Sequence, residues 1–268
     1  MLIDINAYVG HWPFQQLKYN TCETLLQRMN KYGVDVSVIS NLNGIFYKNT
    51  QSANEELFDE IKSKRNFSDR FIQFAVINPI YAGWKDDLDI CMKKMGVKGV
   101  RMYPKYHDYD ILDPASVELV KRSRDYGLPV AFNLRMVDSR QRSWMDIDYV
   151  VGTPKKEWTL KNILPIIEEV PDAKYMILNL ANGAKLTDEE MKTLQGSNVL
   201  IDTSGRAITN MGDFLTSYGK DKFAFGTHAP ILDYVSGQLR IESLRPDEAD
   251  ENTKELLRSG NAKKFLGI

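Results

Sequence analysis

Runs of apolar residues of strand length alternate along the chain with stretches whose apolar positions recur at helical spacing. Most of the short runs are almost continuously apolar and rich in β-branched or aromatic residues, as in residues 36–39 (VSVI) and 130–132 (VAF). Parallel strands covered on both faces have this pattern, whereas half-exposed antiparallel strands alternate. Eight strands are predicted, at residues 2–8, 35–42, 71–78, 97–103, 128–135, 174–181, 198–204 and 222–228.

A helix is predicted after each strand, and several of these helices have start and stop signals. Thr21 and Thr187 are cap residues with acidic residues in the following turn, while Gly33, Gly96 and Gly127 stand where a helix end favours a left-handed residue. The predicted helices cover residues 21–32, 51–64, 84–95, 113–126, 160–169, 187–194, 208–218 and 253–265.

This alternation over 268 residues predicts an α/β protein with the (β/α)₈ TIM barrel fold, whose usual size is about 250 residues. One domain covering residues 1–268 is expected, because no internal repeat or linker interrupts the pattern. A doubly wound open sheet is the structural alternative. It usually has fewer strands, and no Gly-x-Gly-x-x-Gly turn follows the first strand here.

Composition narrows the partners and the compartment. The 35 Lys and Arg residues balance 36 Asp and Glu residues, so charge favours neither a nucleic-acid nor a membrane partner. Cys22 and Cys91 are too few for a disulfide framework and indicate free thiols. No stretch of about 18 uncharged apolar residues occurs. We therefore expect a cytoplasmic protein that binds a small-molecule substrate, and by analogy with other barrels a homodimer.

Functional residues of such barrels lie at the carboxyl ends of the strands and in the loops that follow. Every predicted strand ends in a polar side chain, and buried polar groups are costly unless they are paired. The pattern therefore favours a hydrated pocket, although single Asn residues also cap loops or bond to the backbone. The polar ends are Asn6, Tyr8, Asn41, Asn43, Asn78, Tyr103, Lys105, Asn133, Arg135, Asn179, Asp202, Ser204 and His228.

Segments along almost the whole chain resemble one family. Residues 4–10 (DINAYVG) resemble the Asp-x-His-x-His-x-Gly strand of the amidohydrolase superfamily, in its amidohydrolase-related (amidohydrolase 2) branch. Residues 128–133 and 174–180 are similar to strands that end in a metal-binding His and in His-Leu-Gly. Residues 225–230 (FGTHAP) are similar to Phe-Gly-Ser-Asp-x-Pro, and residues 261–267 resemble the closing helix.

The resemblance implies a metal site in which most ligands are substituted. Asn6, Tyr8, Asn133 and Asn179 stand where the family has other ligands, and His228 stands where it has a metal-binding, proton-transferring Asp. Amides are poor zinc ligands, and the chain has only three histidines, none paired at metal-ligand spacing. We therefore expect no cofactor, with zinc or manganese on divergent ligands as the alternative. Lactonases that act on pyrone dicarboxylates are members of the superfamily that work without metal.

His228 is the first candidate for general acid or base, because imidazole titrates near neutral pH. Tyr8 and Lys105 are expected to stabilise a developing oxyanion. The acids that would orient His228 are Asp202, Asp138 or Asp233. Substrate contacts are predicted for Asn6, His11, Asn43, Tyr103, Lys105, Asn133, Arg135 and Asn179.

Residues 136–156 form an unusually long connection, which is typical of a lid or of a short extra element. It contains Asp138, Arg140, Arg142 and Trp144. Together with Arg101 and Arg135 at strand ends, its arginines would suit a carboxylate or a phosphate. Aromatic residues in loops 10–14 and 44–49 predict walls for a small ring or sugar-like ligand.

Three functions stay open at this point. The leading one is a metal-independent hydrolase that opens an ester, lactone or amide of a small anionic compound. The second is a metal-dependent hydrolase or decarboxylase with divergent ligands. The third is a non-catalytic descendant that binds a metabolite or a protein through the old pocket.

Overall fold

The computed structural model describes residues 1–136, 158–180, 186–205 and 208–268, and the backbone of two short strands between the first two ranges. The strands are β1 (Ile3–Val9), β2 (Val36–Asn41), β3 (Phe71–Gln73), β4 (Ala75–Val76), β5 (Val100–Met102), β6 (Val130–Asn133), β7 (Tyr149–Val150), β8 (Thr153–Pro154), β9 (Lys174–Leu178), β10 (Asn198–Asp202) and β11 (Phe223–Ala224).

Parallel strands follow one another in sequence order around a closed ring. β1, β2 and β3 pair in one sheet, and β4, β5, β6, β9, β10 and β11 pair in a second. The chain joins the two sheets at Phe74, whose N–H donates to Ile39 O at 2.9 Å. The ring closes where Ile5 N donates to Phe225 O (2.9 Å) and His228 N donates to Asn6 O (2.7 Å). The predicted (β/α)₈ barrel is confirmed.

Helices cover the outside of this ring. All eight predicted helices overlap observed ones, and the predicted caps are present: Thr21 forms a capping box with Thr24, and Gly33 ends its helix at φ 67°. The helices are α1 (Cys22–Tyr32), α2 (Gln51–Lys62), α3 (Arg65–Ser68), α4 (Trp84–Ile90), α5 (Pro104–His107), α6 (Pro114–Asp125), α7 (Leu164–Glu169), α8 (Asp188–Gly196), α9 (Met211–Tyr218), α10 (Tyr234–Glu242), α11 (Glu251–Glu255) and α12 (Asn261–Leu266).

Three helices were not predicted: α3, α5 and α10. The first two have a single turn each, too short for a periodic pattern. In α10 Gly237 interrupts the helical spacing of apolar residues, and this glycine is needed for packing against another part of the chain. A Cβ at Gly237 would lie 3.2 Å from the Gly226 carbonyl oxygen, so glycine lets α10 pack closely on the chain that follows β11. None of the described helices is long and apolar enough to cross a membrane.

A bulge in β1 aims two side chains into the barrel. Asp4 pairs with Ser37 and Ala7 with Ile39, so β1 has one residue more than β2 between these pairs. Before the bulge, Ile5 points into the apolar interior. Because an extra residue reverses the alternation of a strand, Asn6 comes to face inward after Ile5, and Tyr8 follows it on the same face. Both are fully buried.

Candidate active site

Three side chains that lie far apart in the sequence meet at the carboxyl end of the barrel. The Nδ2 group of Asn6, on β1, donates to Asp202 Oδ2 at 2.7 Å and lies 3.3 Å from His228 Nδ1. Ser204 Oγ lies 3.4 Å from the same amide nitrogen. All four residues are buried. The structure therefore brings together the predicted catalytic pair His228 and Asp202 with Asn6.

Asp202 ends β10 and is the main acceptor of this cluster. Oδ1 accepts a hydrogen bond from the backbone N–H of Asn179 at 2.7 Å, and Oδ2 accepts one from Ser204 Oγ at 2.5 Å. Burial raises the pKa of Asp202, while the hydrogen bonds from Ser204 and Asn6 oppose this rise. A Cβ at Gly226 would lie 2.7 Å from Asp202 Oδ2, so glycine there leaves room for the carboxylate.

The hydrogen bonds of His228 define its tautomer. Its Nε2 lies 2.8 Å from the carbonyl oxygen of Met136. A carbonyl can only accept, so Nε2 carries a hydrogen, and when the ring is neutral Nδ1 presents a lone pair toward the Asn6 amide. The backbone of His228 is left-handed, at φ 59°. Residues other than Gly and Asn rarely adopt this conformation, and those that do are concentrated at functional sites.

A second cluster lies beside the first inside the barrel. Asn133 Nδ2 donates to the Tyr8 hydroxyl at 2.6 Å. The guanidinium of Arg101 lies over the Tyr8 ring, 4.5 Å from its centroid. Burial raises the pKa of Tyr103 to about 12, although the positive charge of Arg101 opposes this rise. The Tyr8 ring also meets the His228 ring edge-on, with 5.2 Å between centroids, so the two clusters are in contact.

Asp4 supports the turn that carries His228, a role that sequence analysis did not assign. Its carboxylate accepts hydrogen bonds from the N–H (3.0 Å) and the hydroxyl (2.5 Å) of Thr227 and from the N–H of Asn6 (3.0 Å). Burial raises its pKa to about 6. The one signal in the sequence was an acidic residue within an otherwise apolar strand.

The barrel mouth holds an apolar layer together with the polar strand ends, and Met136 contributes its side chain to this layer. Most of the polar ends are buried, while Asn43 and Lys105 are half-buried. That the pocket is hydrated stays a prediction. Met136 also accepts from Asn133 Nδ2 through its sulfur at 3.3 Å. Trp12, Phe14 and Phe46, from the two loops predicted to form aromatic walls, pack against one another, and their role toward a ligand stays a prediction. The layer consists of Tyr8, Trp12, Leu17, Leu42, Ile45, Val76, Tyr103, Met136 and Ile231.

Several predicted site residues lie outside these two clusters. His11 is exposed, and its N–H donates to Asn43 Oδ1, whose side chain also donates to Glu56. Asp233 does not orient His228: it caps α10 and pairs with Arg28 at 2.5 Å. Lys105 is half-buried on α5 and Arg135 is buried after β6. Asp138, Arg140, Arg142 and Trp144 lie outside the described residues. The substrate roles of Asn6, His11, Asn43, Tyr103, Lys105, Asn133, Arg135 and Asn179 stay predictions.

His107, the last residue of α5, hydrogen-bonds the segment that follows β2 and makes a pH-dependent contribution to stability. Its Nε2 hydrogen-bonds the Gly44 carbonyl at 3.0 Å, and burial lowers its pKa from the ordinary 6.5. Below about pH 6.5 the unfolded chain therefore takes up a proton that the folded chain resists. We expect the free energy of unfolding to fall with decreasing pH in this range, by up to about 1.4 kcal/mol per pH unit from this group.

Urea unfolding of wild type and His107→Gln at pH 7.5 and pH 5.5 measures this contribution. The variant should be less stable at pH 7.5 and should lose less stability on acidification than the wild type. Equal losses in the two proteins would contradict the assignment.

Polar side chains gather at the carboxyl end of this α/β barrel, which is where the active sites of TIM-barrel enzymes lie. The fold and the site therefore define a protein of the TIM-barrel class. The chain belongs to the amidohydrolase family, whose sequence model matches residues 28–268. The match begins after β1, so the likeness of residues 4–10 to the family strand is not part of it. No curated protein sequence matches the chain.

Solved structures of similar proteins share the fold at low sequence identity. A protein from Staphylococcus aureus described as an amidohydrolase has a TM-score of 0.74 at 17% identity, with 100% of this chain and 99% of that chain covered. 2,6-Dihydroxybenzoate decarboxylase from Rhizobium has a TM-score of 0.71 at 14% identity, with 99% of this chain and 98% of that chain covered. 5-Carboxyvanillate decarboxylase from Novosphingobium aromaticivorans, complexed with manganese and 4-hydroxy-3-methoxy-5-nitrobenzoic acid, has a TM-score of 0.76 at 13% identity. The match covers 100% of this chain and 96% of that chain.

The expectation that no cofactor takes part is contradicted by these relatives, because structures of this fold hold manganese. That expectation rested on zinc chemistry, for which amides are poor ligands. Manganese is a harder ion and accepts carboxylate and carbonyl oxygens.

The donor set of this chain fits the harder ion better than zinc. No three His, Cys, Asp or Glu side chains cluster within the described ranges. Instead, the side-chain oxygens of Asn6, Asn133 and Asn179 are buried without a hydrogen-bond partner in that part of the chain. The Asn6 side chain hydrogen-bonds Asp202 through its NH₂ group, and Asn179 hydrogen-bonds Asp202 through its backbone N–H. One carboxylate with neighbouring amide oxygens is a set of ligands that manganese accepts.

Proposed function

We propose that this chain is a divergent, metal-dependent decarboxylase that acts on a small aromatic carboxylate. The observation that carries the proposal is the meeting of Asn6, Asp202 and His228 at the carboxyl end of the barrel, within 2.7 and 3.3 Å of the Asn6 amide nitrogen. Support comes from membership of the amidohydrolase family and from the decarboxylases that share the fold.

Asp202 and the amide oxygens of Asn6 and Asn179 are the residues that would hold a manganese ion. Asn6 presents its NH₂ group to Asp202 in this structure, and a half-turn of the amide exchanges this group for the oxygen. When bound, the ion would supply a Lewis acid that polarises oxygen atoms of the substrate. Every other role in the reaction falls to side chains of the chain itself.

His228 is the residue placed to move a proton. Loss of carbon dioxide from an aromatic ring breaks the bond between ring and carboxylate carbon, and a proton must replace the carboxylate at that ring carbon. Nδ1 of His228 has a lone pair that faces the site, while Nε2–H is anchored on the Met136 carbonyl at 2.8 Å. The anchor holds the ring orientation, so a proton taken up at Nδ1 is directed toward the site.

Aromatic side chains and cationic groups would hold the substrate. Tyr8 and Tyr103 line the inner wall and Trp12 lies in the mouth layer, which suits a flat ring. Arg101 lies over the Tyr8 ring and Arg135 is buried after β6, and guanidinium groups match carboxylates in shape and charge. This arrangement favours an anionic ring compound over a neutral one.

Hydrolysis of an ester, lactone or amide at the same site is the second candidate function. The hydrogen bond from His228 Nε2 to the Met136 carbonyl favours it, because the neutral ring then has Nδ1 to accept a proton from the attacking water. The two reactions need the same residues but opposite directions of proton transfer. Products therefore distinguish them.

The first experiment measures manganese content and turnover of the wild-type protein. After loading with manganese and removal of the excess, about one ion per chain is expected. 2,6-Dihydroxybenzoate should then be converted to resorcinol, detected by liquid chromatography, and EDTA should abolish the conversion. Phenyl acetate and dihydrocoumarin test the hydrolytic alternative in parallel.

The controls compare one asparagine inside the site with one that lies far from it. Asn6→Ala should lose the ion, whereas Asn198→Ala, at the exposed amino end of β10, should retain it. Conversion that survives EDTA in a metal-free protein would contradict the proposal, as would failure of the wild type to bind manganese. Hydrolysis of the esters without any decarboxylation would favour the second function.

A further inference from the structure

Arg101 is a buried cation without a matching anion among the described residues. It is the central residue of β5, and no part of it is exposed. Nη1 donates one long hydrogen bond, 3.4 Å, to the Ala7 carbonyl oxygen. Nε and Nη2 are buried and have no hydrogen-bond partner in the part of the chain that the structure describes. The guanidinium also lies over the Tyr8 ring at 4.5 Å.

Such an environment is unfavourable for a charge that cannot be removed. Guanidinium stays protonated in proteins, so Arg101 cannot become neutral as a buried Lys or His can. Contact with the Tyr8 ring compensates only part of the lost hydration. The two unpartnered nitrogens need acceptors, and a carboxylate supplies two oxygens that fit the forked geometry of the donors.

The strand geometry places Arg101 where a ligand would reach it. Neighbours Val100 and Met102 pack in the cluster between the strands and the helices, so alternation along β5 directs Arg101 and Tyr103 into the barrel. Tyr103 belongs to the layer at the mouth, and Met136 lies in the same layer. Met136 is unbranched and adaptable, so its side chain can be displaced by a small ligand that enters from the mouth.

The neighbours of Arg101 complete a site for one anionic group. The Tyr8 hydroxyl accepts from Asn133 Nδ2 at 2.6 Å, so its own hydrogen is not used in that bond. The Tyr103 hydroxyl lies close enough to the Arg101 guanidinium and to the Tyr8 hydroxyl for both to oppose the rise in its pKa, although its geometry makes no hydrogen bond with either group. No negative side chain is among the direct contacts of Arg101 described above, so a ligand would be the source of negative charge.

We infer that Arg101 is the receptor for a single carboxylate group of the ligand, which binds inside the barrel through Nε and Nη2. The inference rests on the proposed function for the class of ligand, and it assigns the carboxylate to Arg101 rather than to Arg135 or the arginines of the long connection. Arg101 thereby selects a carboxylate-bearing ring over the same ring without the carboxylate.

Calorimetric titration with 2,6-dihydroxybenzoate and with resorcinol tests the assignment, because the two compounds differ only in the carboxylate. The manganese-treated wild type should bind the acid at least tenfold more tightly than resorcinol. Arg101→Met should remove this preference and leave the resorcinol affinity within about twofold. Arg101→Lys retains the charge without the fork and should retain an intermediate preference.

Stability separates a receptor from a structural residue. Methionine is similar in length and removes an unpaired buried charge, so the urea midpoint of Arg101→Met should equal or exceed that of the wild type. Arg70→Met is the matched control. Arg70 donates to the carbonyls of Val34 and Asp35 near the opposite end of the barrel, so its loss should lower the midpoint without changing the preference for the acid.

Two results would overturn the inference: equal affinity of the wild type for the two compounds, or an unchanged preference in Arg101→Met. Failure of the proposed function gives a different result. If the wild type prefers the acid and Arg101→Met does not, but no resorcinol is formed, the receptor stands and the decarboxylase proposal falls.

Discussion

His228→Asn is expected to reduce kcat by roughly 10²–10⁴-fold, the usual contribution of a positioned acid or base. Asparagine tolerates the left-handed backbone at φ 59°, so the variant should fold. It retains hydrogen-bonding capacity but cannot carry a proton. Because the imidazole moves a proton rather than holding the ring of the substrate, affinity for 2,6-dihydroxybenzoate should change by less than about fivefold.

The measurement compares turnover of 2,6-dihydroxybenzoate with its binding, in the presence of manganese. His228→Asp is the informative second variant, since residues 225–230 resemble a family segment with Asp at this position. A carboxylate can exchange protons, so His228→Asp should be more active than His228→Asn. Turnover by His228→Asn at the wild-type rate would remove His228 from the mechanism, whatever its effect on binding.

Asp202→Ala is expected to lower the free energy of unfolding by about 3 kcal/mol. Three donors lose the carboxylate as an acceptor at once: the Asn6 amide, the Asn179 N–H and the Ser204 hydroxyl. Each buried donor left unpaired costs about 1–3 kcal/mol. Part of this loss is offset, because burial already penalises the ionised carboxylate and raises its pKa. Metal binding should be lost together with stability.

Urea unfolding followed by circular dichroism measures the change, at pH 7.5 and without added manganese so that folding alone is compared. Asp202→Asn keeps the shape and one acceptor, so it should be destabilised by less than Asp202→Ala. Asp221→Ala is the matched control, because Asp221 is exposed and surface substitutions usually change stability by less than about 0.5 kcal/mol. Equal effects of Asp202→Ala and Asp221→Ala would show that the cluster contributes nothing to folding.

Much of the architecture was predictable because it follows from local pattern. The eight apolar runs became the strands of the barrel, although the run at 71–78 was observed as β3 and β4. The break between β3 and β4 falls at Phe74, whose ring packs against the backbone of Gly99. A Cβ at Gly99 would lie 2.4 Å from the Phe74 ring, so the ring occupies space that only a glycine leaves open.

The functional residues were predictable by position and less so by environment. Strand ends were predicted to bring polar groups together, and the structure does bring His228, Asp202 and Asn6 into contact, while their functional roles stay predictions. The structure adds an apolar layer at the same barrel mouth. Asp233 was a candidate partner of His228 and instead caps a helix that was not predicted. The metal expectation was wrong because ligand identity in one sequence says little about which ion the fold can hold.

Sequence alone determined the order of strands and helices and therefore the barrel, since the periods of 2.0 and 3.6 are local properties of the backbone. Tertiary structure decided which polar groups meet. Asn6 bonds Asp202 across 196 positions and contacts His228 across 222, and the bulge in β1 turns Asn6 and Tyr8 inward. The two Arg101 nitrogens that have no hydrogen-bond partner among the described residues likewise became visible only in the fold, because a buried charge is defined by what surrounds it.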